Sequence, residues 1–165
     1  AVLLGDTLVE SQEKPVTRQL MEIYDRYQES VVALEEVEAS KVSRYGVISG
    51  RPIDDGVLLI DDFVEKPDVN EAPSNLAIAG RYVLSPDIFD CIGRTATGKN
   101  DEIQLTDAMR MLLEVRALYG LRISGTRYDI GNKVDFIKTN LAYALARPEL
   151  SEEVLAFVRN LAADS

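Results

Sequence analysis

The chain has 165 residues, 46% of them hydrophobic, with one cysteine, no histidine and a net charge of −10. That is one domain's worth of chain with enough apolar content for a core, and no run of about 18 apolar residues is present to span a membrane. The acidity argues against a nucleic-acid surface, and the missing histidine removes the usual zinc ligand, the usual neutral-pH base and most hydrolase triads.

The opening "AVLLG" reads as a buried-type strand. It has no basic region or cleavage site, so it is not a signal peptide. It also lacks a starting Met, so the chain reads as a portion of something longer. "PVTRQLMEIYDRYQE" predicts a helix, with Pro15 near its start and Leu20, Ile23, Tyr24 and Tyr27 at helical spacing. "SVVALEEV" is rich in β-branched residues and predicts a strand. Arg51-Pro52-Ile53-Asp54-Asp55-Gly56 reads as a turn joining two strands, followed by the strands "VLLIDDFVEKP" and "NLAIAGRYVL".

"SPDIFDCI" predicts a helix with Ser85 as N-cap and Pro86 in the first helical position. Its Cys91, the lone cysteine, permits no internal disulfide, favours a reducing compartment and reads as a small core residue. "DEIQLTDAMRMLLEV" predicts a helix with Leu105, Met109 and Leu112 on one face; Asp101, Glu102 and Asp107 then sit near its positive end. "LYGLRISG" reads as a strand and "TRYDIGNK" as a loop. Two terminal helices over about 133–164 close the chain, the second capped by Ser151, with Val154, Leu155, Val158 and Leu161 as an apolar stripe. Alternating helices and strands predict an α/β domain.

Ligands of α/β sheets bind beyond the carboxyl ends of strands. Charged residues at such ends are therefore the first candidates: Asp6, Glu65 with Lys66, and Asp129. Glu65 and Lys66 are either a polar strand terminus or a carboxylate for sugar hydroxyls beside an ammonium for a phosphate. Pro67 predicts an extended Lys66. Asp6 and Asp129 are either turn residues or helix caps or, if they meet, a Mg²⁺ site, since Mg²⁺ takes one or two carboxylates. Gly46 marks either a bulge or a close approach to the backbone. Gly131-Asn132-Lys133 reads as a turn into the next helix in preference to a phosphate-facing helix start. No glycine-rich phosphate loop of either common type occurs.

The strings "YGVI", "FVEKP", "APSNLAIAGRYVLS", "DEIQLTDA" and "YDIGNK" occur in this order. With them the sequence closely resembles the bacterial UTP–glucose-1-phosphate uridylyltransferases, from Ala1 to about Ala146. The resemblance implies a Rossmann-like α/β nucleotidyltransferase domain, here without its first strands and the glycine-rich loop that holds UTP. It implies Mg²⁺-dependent formation of UDP-glucose and pyrophosphate from UTP and glucose 1-phosphate, in the cytoplasm, by a homo-oligomer. Residue by residue, it makes Glu65 the acceptor of glucose hydroxyls and Lys66 the contact to the sugar phosphate. Gly46 and Asn75 lie beside the sugar, and Asp6 and Asp129 bind the metal, Lys66 and the two aspartates being catalytic. Gly5 and Thr7 depart from the Pro and second acid of many relatives, which lowers the local charge around Asp6. An isolated 165-residue chain is expected to be inactive, and a non-catalytic sugar-phosphate-binding relative is the alternative. Charge alone does not choose between Mg²⁺ and Mn²⁺.

Overall fold

The computed structural model describes residues 1–11, 14–98 and 101–163. The chain folds as two compact units: 1–4 with 9–127, and 5–8 with 128–165. Unit 1 is built on a six-stranded mixed sheet in the order β1 (Val2–Leu3), β6 (Leu76–Val83), β3 (Ser30–Glu36), β7 (Leu118–Arg122), β5 (Val57–Glu65), β4 (Gly46–Asp54). Only the β3–β7 pair is parallel; β1–β6, β3–β6, β7–β5 and β5–β4 are antiparallel, and Val47 of β4 also pairs with Ala77 of β6.

The central strand β3 carries Val31, Val32, Ala33 and Leu34, all fully buried. A strand covered on both faces must be a continuous apolar run rather than an alternating one, and this one is. Its odd and even side chains feed two separate cores. Val32 and Leu34 join Ile48, Phe63, Met109 and Leu112 beneath helices α2 (Ile88–Arg94) and α3 (Leu105–Leu112). Val31 and Ala33 join Leu20, Ile23 and Leu121 beneath helix α1 (Val16–Tyr27), with Tyr24 and Tyr27 at the margin, where Tyr27 stacks on Tyr119 at 4.3 Å. Cys91 is buried and free, in the small-core role expected of it.

Unit 2 holds helices α4 (Lys133–Leu145) and α5 (Pro148–Ala163), which pack on each other. Asn132 caps α4: its Oδ1 accepts the amides of Val134 and Asp135 at 2.9 and 3.1 Å. A small two-stranded sheet pairs β2 (Thr7–Glu10) with β8 (Thr126–Asp129).

Several expectations need correction. The "TRYDIGNK" segment is not all loop, because Thr126–Asp129 find ladder partners in β2. Residues 51–53 continue strand β4, so the turn is confined to Asp55-Gly56; Pro52 is tolerated because β4 ends the strand order there. The opening strand is not buried: β1 lies at the sheet edge with Val2, Leu3 and Leu4 exposed. Ser85 is not the N-cap, since the chain first makes tight turns (Ile88 N–H to Ser85 C=O, 3.2 Å) and helix α2 begins at Ile88. Asp101 and Glu102 lie outside α3: Asp101 is left-handed (φ 59°), the Glu102 carbonyl accepts the Gly98 amide, and of the three acids Asp107 alone stands in the first helical turn. Ser151 does not cap α5, which starts at Pro148; its hydroxyl donates to the Pro148 carbonyl. Asp164, at the end of the expected terminal helices, lies outside the described residues.

Candidate functional site

The hairpin β4–β5 places Gly46 directly opposite Glu65. Its register decides that the first residue of one strand meets the last of the other. Pro67 cannot donate to a ladder, so β5 stops here. Lys66 does not continue extended, as the proline alone suggests. It takes a left-handed conformation (φ 45°), its amide donating to the Tyr45 carbonyl at 3.0 Å. A non-glycine residue held there costs about 1–3 kcal/mol, and such strain concentrates at functional sites.

The turn has a chemical consequence. Adjacent strand residues would point to opposite faces, but here the Lys66 ammonium reaches Glu65 Oε1 at 3.4 Å. The other carboxylate oxygen accepts the Thr106 hydroxyl at 2.7 Å. These two partners differ in worth. The Lys66 side chain is 42% exposed, so that pair contributes at most about 1 kcal/mol. Thr106 is buried and donates to a charged acceptor, a bond worth about 1.5–3 kcal/mol. Thr106 therefore fixes the carboxylate, and Lys66 remains the mobile charge. Two occupied acceptor positions leave Glu65, 17% exposed at the side chain, with capacity for further donors.

Gly46 is explained by the same bond. A Cβ there would stand 3.1 Å from Glu65 Oε2, from Thr106 Oγ1 and from Ile78 Cδ1. The close-approach reading holds, and the register irregularities of β4 lie further on, between Ser49 and Gly50 and between Pro52 and Asp54. Asn75 makes its hydrogen bonds to other partners. Its Nδ2 donates to Glu36 Oε1 at 3.0 Å and its carbonyl accepts the Val37 amide, so its contacts run to the end of β3.

Asp6 and Asp129 belong to unit 2, and the structure brings them together. Asp6 stands just before β2 and Asp129 ends β8, with the Ile130 amide donating to the Asp6 carbonyl at 2.9 Å. A side chain at Gly131 would place its Cβ 3.2 Å from Asp6 Oδ2 and 3.4 Å from Asp129 Oδ1. The missing side chain thus leaves a space flanked by two carboxylates, a donor set that suits a hard divalent cation completing its shell with water and phosphate oxygens. Among the described residues no group of three or more His, Cys, Asp or Glu is assembled for a metal. No helix among them is long and apolar enough to cross a membrane.

Thr106 is the residue that sequence reasoning missed. The signal was present in "DEIQLTDA": a hydroxyl residue at i−3 from Met109, on the buried face of an amphipathic helix. A polar side chain there must find a partner.

Residues 1–145 match the family model described as nucleotidyl transferase. The chain is 45% identical to the UTP–glucose-1-phosphate uridylyltransferase of Staphylococcus epidermidis over 161 residues, which is 98% of this chain and 56% of that protein. Against the Streptococcus pyogenes protein of the same name it is 42% identical, covering 97% of this chain and 54% of that one. The fold superimposes on a crystal structure of UDP-glucose pyrophosphorylase complexed with UDP-glucose with a TM-score of 0.85 at 44% identity, over 88% of this chain and 56% of that one. A UTP-bound UGPase from Acinetobacter baumannii gives 0.81 at 31%, over 96% and 55%. The chain spans about half the length of the curated relatives it matches. Its mixed sheet, its flanking helices and the match over residues 1–145 make it a member of the nucleotidyl transferase family.

Proposed function

We propose that this chain supplies the sugar-phosphate and metal part of a UTP–glucose-1-phosphate uridylyltransferase. The observation that carries the reading is the Glu65–Lys66 turn: a buried hydroxyl fixes the carboxylate while the adjacent ammonium stays free to move. Similarity at 42–45% to proteins of that name supports it.

In this reading a phosphate oxygen of glucose 1-phosphate attacks the α-phosphorus of UTP, the bond to the β-phosphate oxygen breaks, and pyrophosphate leaves. The attacking oxygen is already ionised at neutral pH, so no histidine or cysteine is required, and catalysis is positioning plus charge neutralisation. Glu65 accepts hydroxyls of the glucose ring, Lys66 offsets the sugar phosphate, and Gly46 lets the ring approach the backbone. Asn75, held by Glu36, borders the sugar through its remaining amide oxygen. Asp6 and Asp129 would hold Mg²⁺, which when bound neutralises phosphate charge. The same reading makes the protein a cytoplasmic homo-oligomer of carbohydrate metabolism, with neither nucleic acid nor membrane as partner; the net charge of −10 and the single free thiol fit it.

Pyrophosphate release from UTP and glucose 1-phosphate with Mg²⁺ tests this, using both the 165 residues and the complete reading frame that encodes them. The complete frame is expected to turn over, the 165 residues alone to be inactive, and Lys66→Ala or Asp129→Ala to lower the rate at least about a hundredfold. Calorimetric binding of glucose 1-phosphate without turnover by either form would favour a non-catalytic sugar-phosphate-binding relative.

A further inference from the structure

Arg127 is among the most deeply buried charges of unit 1, its side chain 7% exposed. On β8 it donates through Nε to Glu35 Oε2 of β3, and its guanidinium lies 4.2 Å from the centroid of the Tyr45 ring. Burial opposes its charge, yet the hydrogen bond it donates to Glu35 and the contact with Tyr45 outweigh that and hold its pKa above the ordinary arginine value. Tyr45 is the residue whose carbonyl receives the Lys66 amide, and its neighbour Gly46 is the one lying against Glu65. The central strand, Arg127, Tyr45 and the left-handed Lys66 are therefore linked in series.

We propose that Arg127 is a positioning residue for the Glu65–Lys66 pair: clamped to β3 through Glu35, it holds Tyr45 so that its carbonyl keeps Lys66 in the left-handed turn. The inference rests on the sugar-phosphate role proposed above. Lys66 is strained and needs an external restraint to stay where its ammonium meets Glu65. A single amide–carbonyl bond in an exposed turn is a weak restraint unless the carbonyl itself is fixed. Arg127 fixes it without reaching the pair. A flat guanidinium can stack and form an ion pair at once, which a lysine cannot.

The test uses the complete reading frame that encodes these residues, with Arg127→Met, Arg127→Lys, Tyr45→Leu and Lys66→Ala. Steady-state kinetics vary glucose 1-phosphate and UTP separately, and NMR hydrogen exchange reads the Lys66 amide. Arg127→Met is expected to raise KM for glucose 1-phosphate about tenfold and speed Lys66 amide exchange about tenfold, while KM for UTP and exchange within β3 change less than about twofold. Arg127→Lys should recover part of both effects. Tyr45→Leu should reproduce them although the Arg127–Glu35 pair remains, and it decides the matter if Arg127→Met does not fold. Unchanged Lys66 exchange in a folded Arg127→Met or Tyr45→Leu overturns the proposal, as does an equal rise in both KM values. If Lys66→Ala leaves KM for glucose 1-phosphate unchanged, the sugar-phosphate reading is what fails, and Lys66 exchange in Arg127→Met still decides whether Arg127 holds the turn.

Discussion

The sheet of unit 1 and the terminal helices of unit 2 are stabilised in different ways. Strand β3 buries four consecutive apolar side chains completely and feeds two cores, one per face. Helix α4 buries only Thr139, α5 buries no residue, and Phe157 on α5 is 62% exposed. Burial area holds the first region, whereas the second leans on local devices such as the Asn132 cap. A frame of the first kind can carry strain at its rim, and the left-handed Lys66 lies there, anchored to the end of β5.

The largest effect should come from hollowing the frame. Leu34→Ala removes a side chain from the centre of the first core and should cost about 2–5 kcal/mol in denaturant unfolding, whereas Phe157→Ser should stay within about 0.5 kcal/mol. Similar losses at both positions would erase the contrast.

Thr106→Val removes the donor to Glu65 from inside the frame and should cost about 1.5–3 kcal/mol, with Thr106→Ser retaining most of it. Equilibrium unfolding of the two variants side by side checks this. If valine is tolerated as well as serine, the hydroxyl does not hold the carboxylate.

Strain at the rim can be weighed directly. Lys66→Gly should be more stable than Lys66→Ala by about 1 kcal/mol, since only glycine adopts φ 45° freely. Equal thermal midpoints would mean that the turn relaxes at no cost.

In unit 2, Asn132→Ala should cost about 1 kcal/mol, the loss appearing as faster amide exchange in the first turn of α4 and leaving β3 untouched. Loss of protection in β3 as well would show the two regions unfolding as one.

Much of the frame was legible in the chain. The strand at 31–34, the helical spacing of Leu20 and Ile23 and the buried Cys91 all stand as read, because local pattern and burial agree there. Helix starts were less so. Ser85 and Ser151 are good cap residues, yet α2 begins after tight turns and α5 begins at Pro148, since cap chemistry alone does not choose between neighbouring starts. At the candidate site, Glu65, Asp6 and Asp129 were legible as charged residues at strand ends, and Gly46 as a glycine within a strand-like run, although it proves to open β4. Thr106 was not, although it lies within "DEIQLTDA", because its partner is 41 residues away.

By itself the sequence determined the alternation of elements, the apolar runs that must be buried and the carboxylates and lysine available for chemistry. It also determined what was missing, namely histidine and a glycine-rich phosphate loop. The tertiary structure decided which of these meet. The β4–β5 register set Gly46 against Glu65, a left-handed turn brought Lys66 back onto its neighbour, and Gly131 left room between Asp6 and Asp129. Register and handedness depend on partners distant in the chain, and no local propensity encodes a partner.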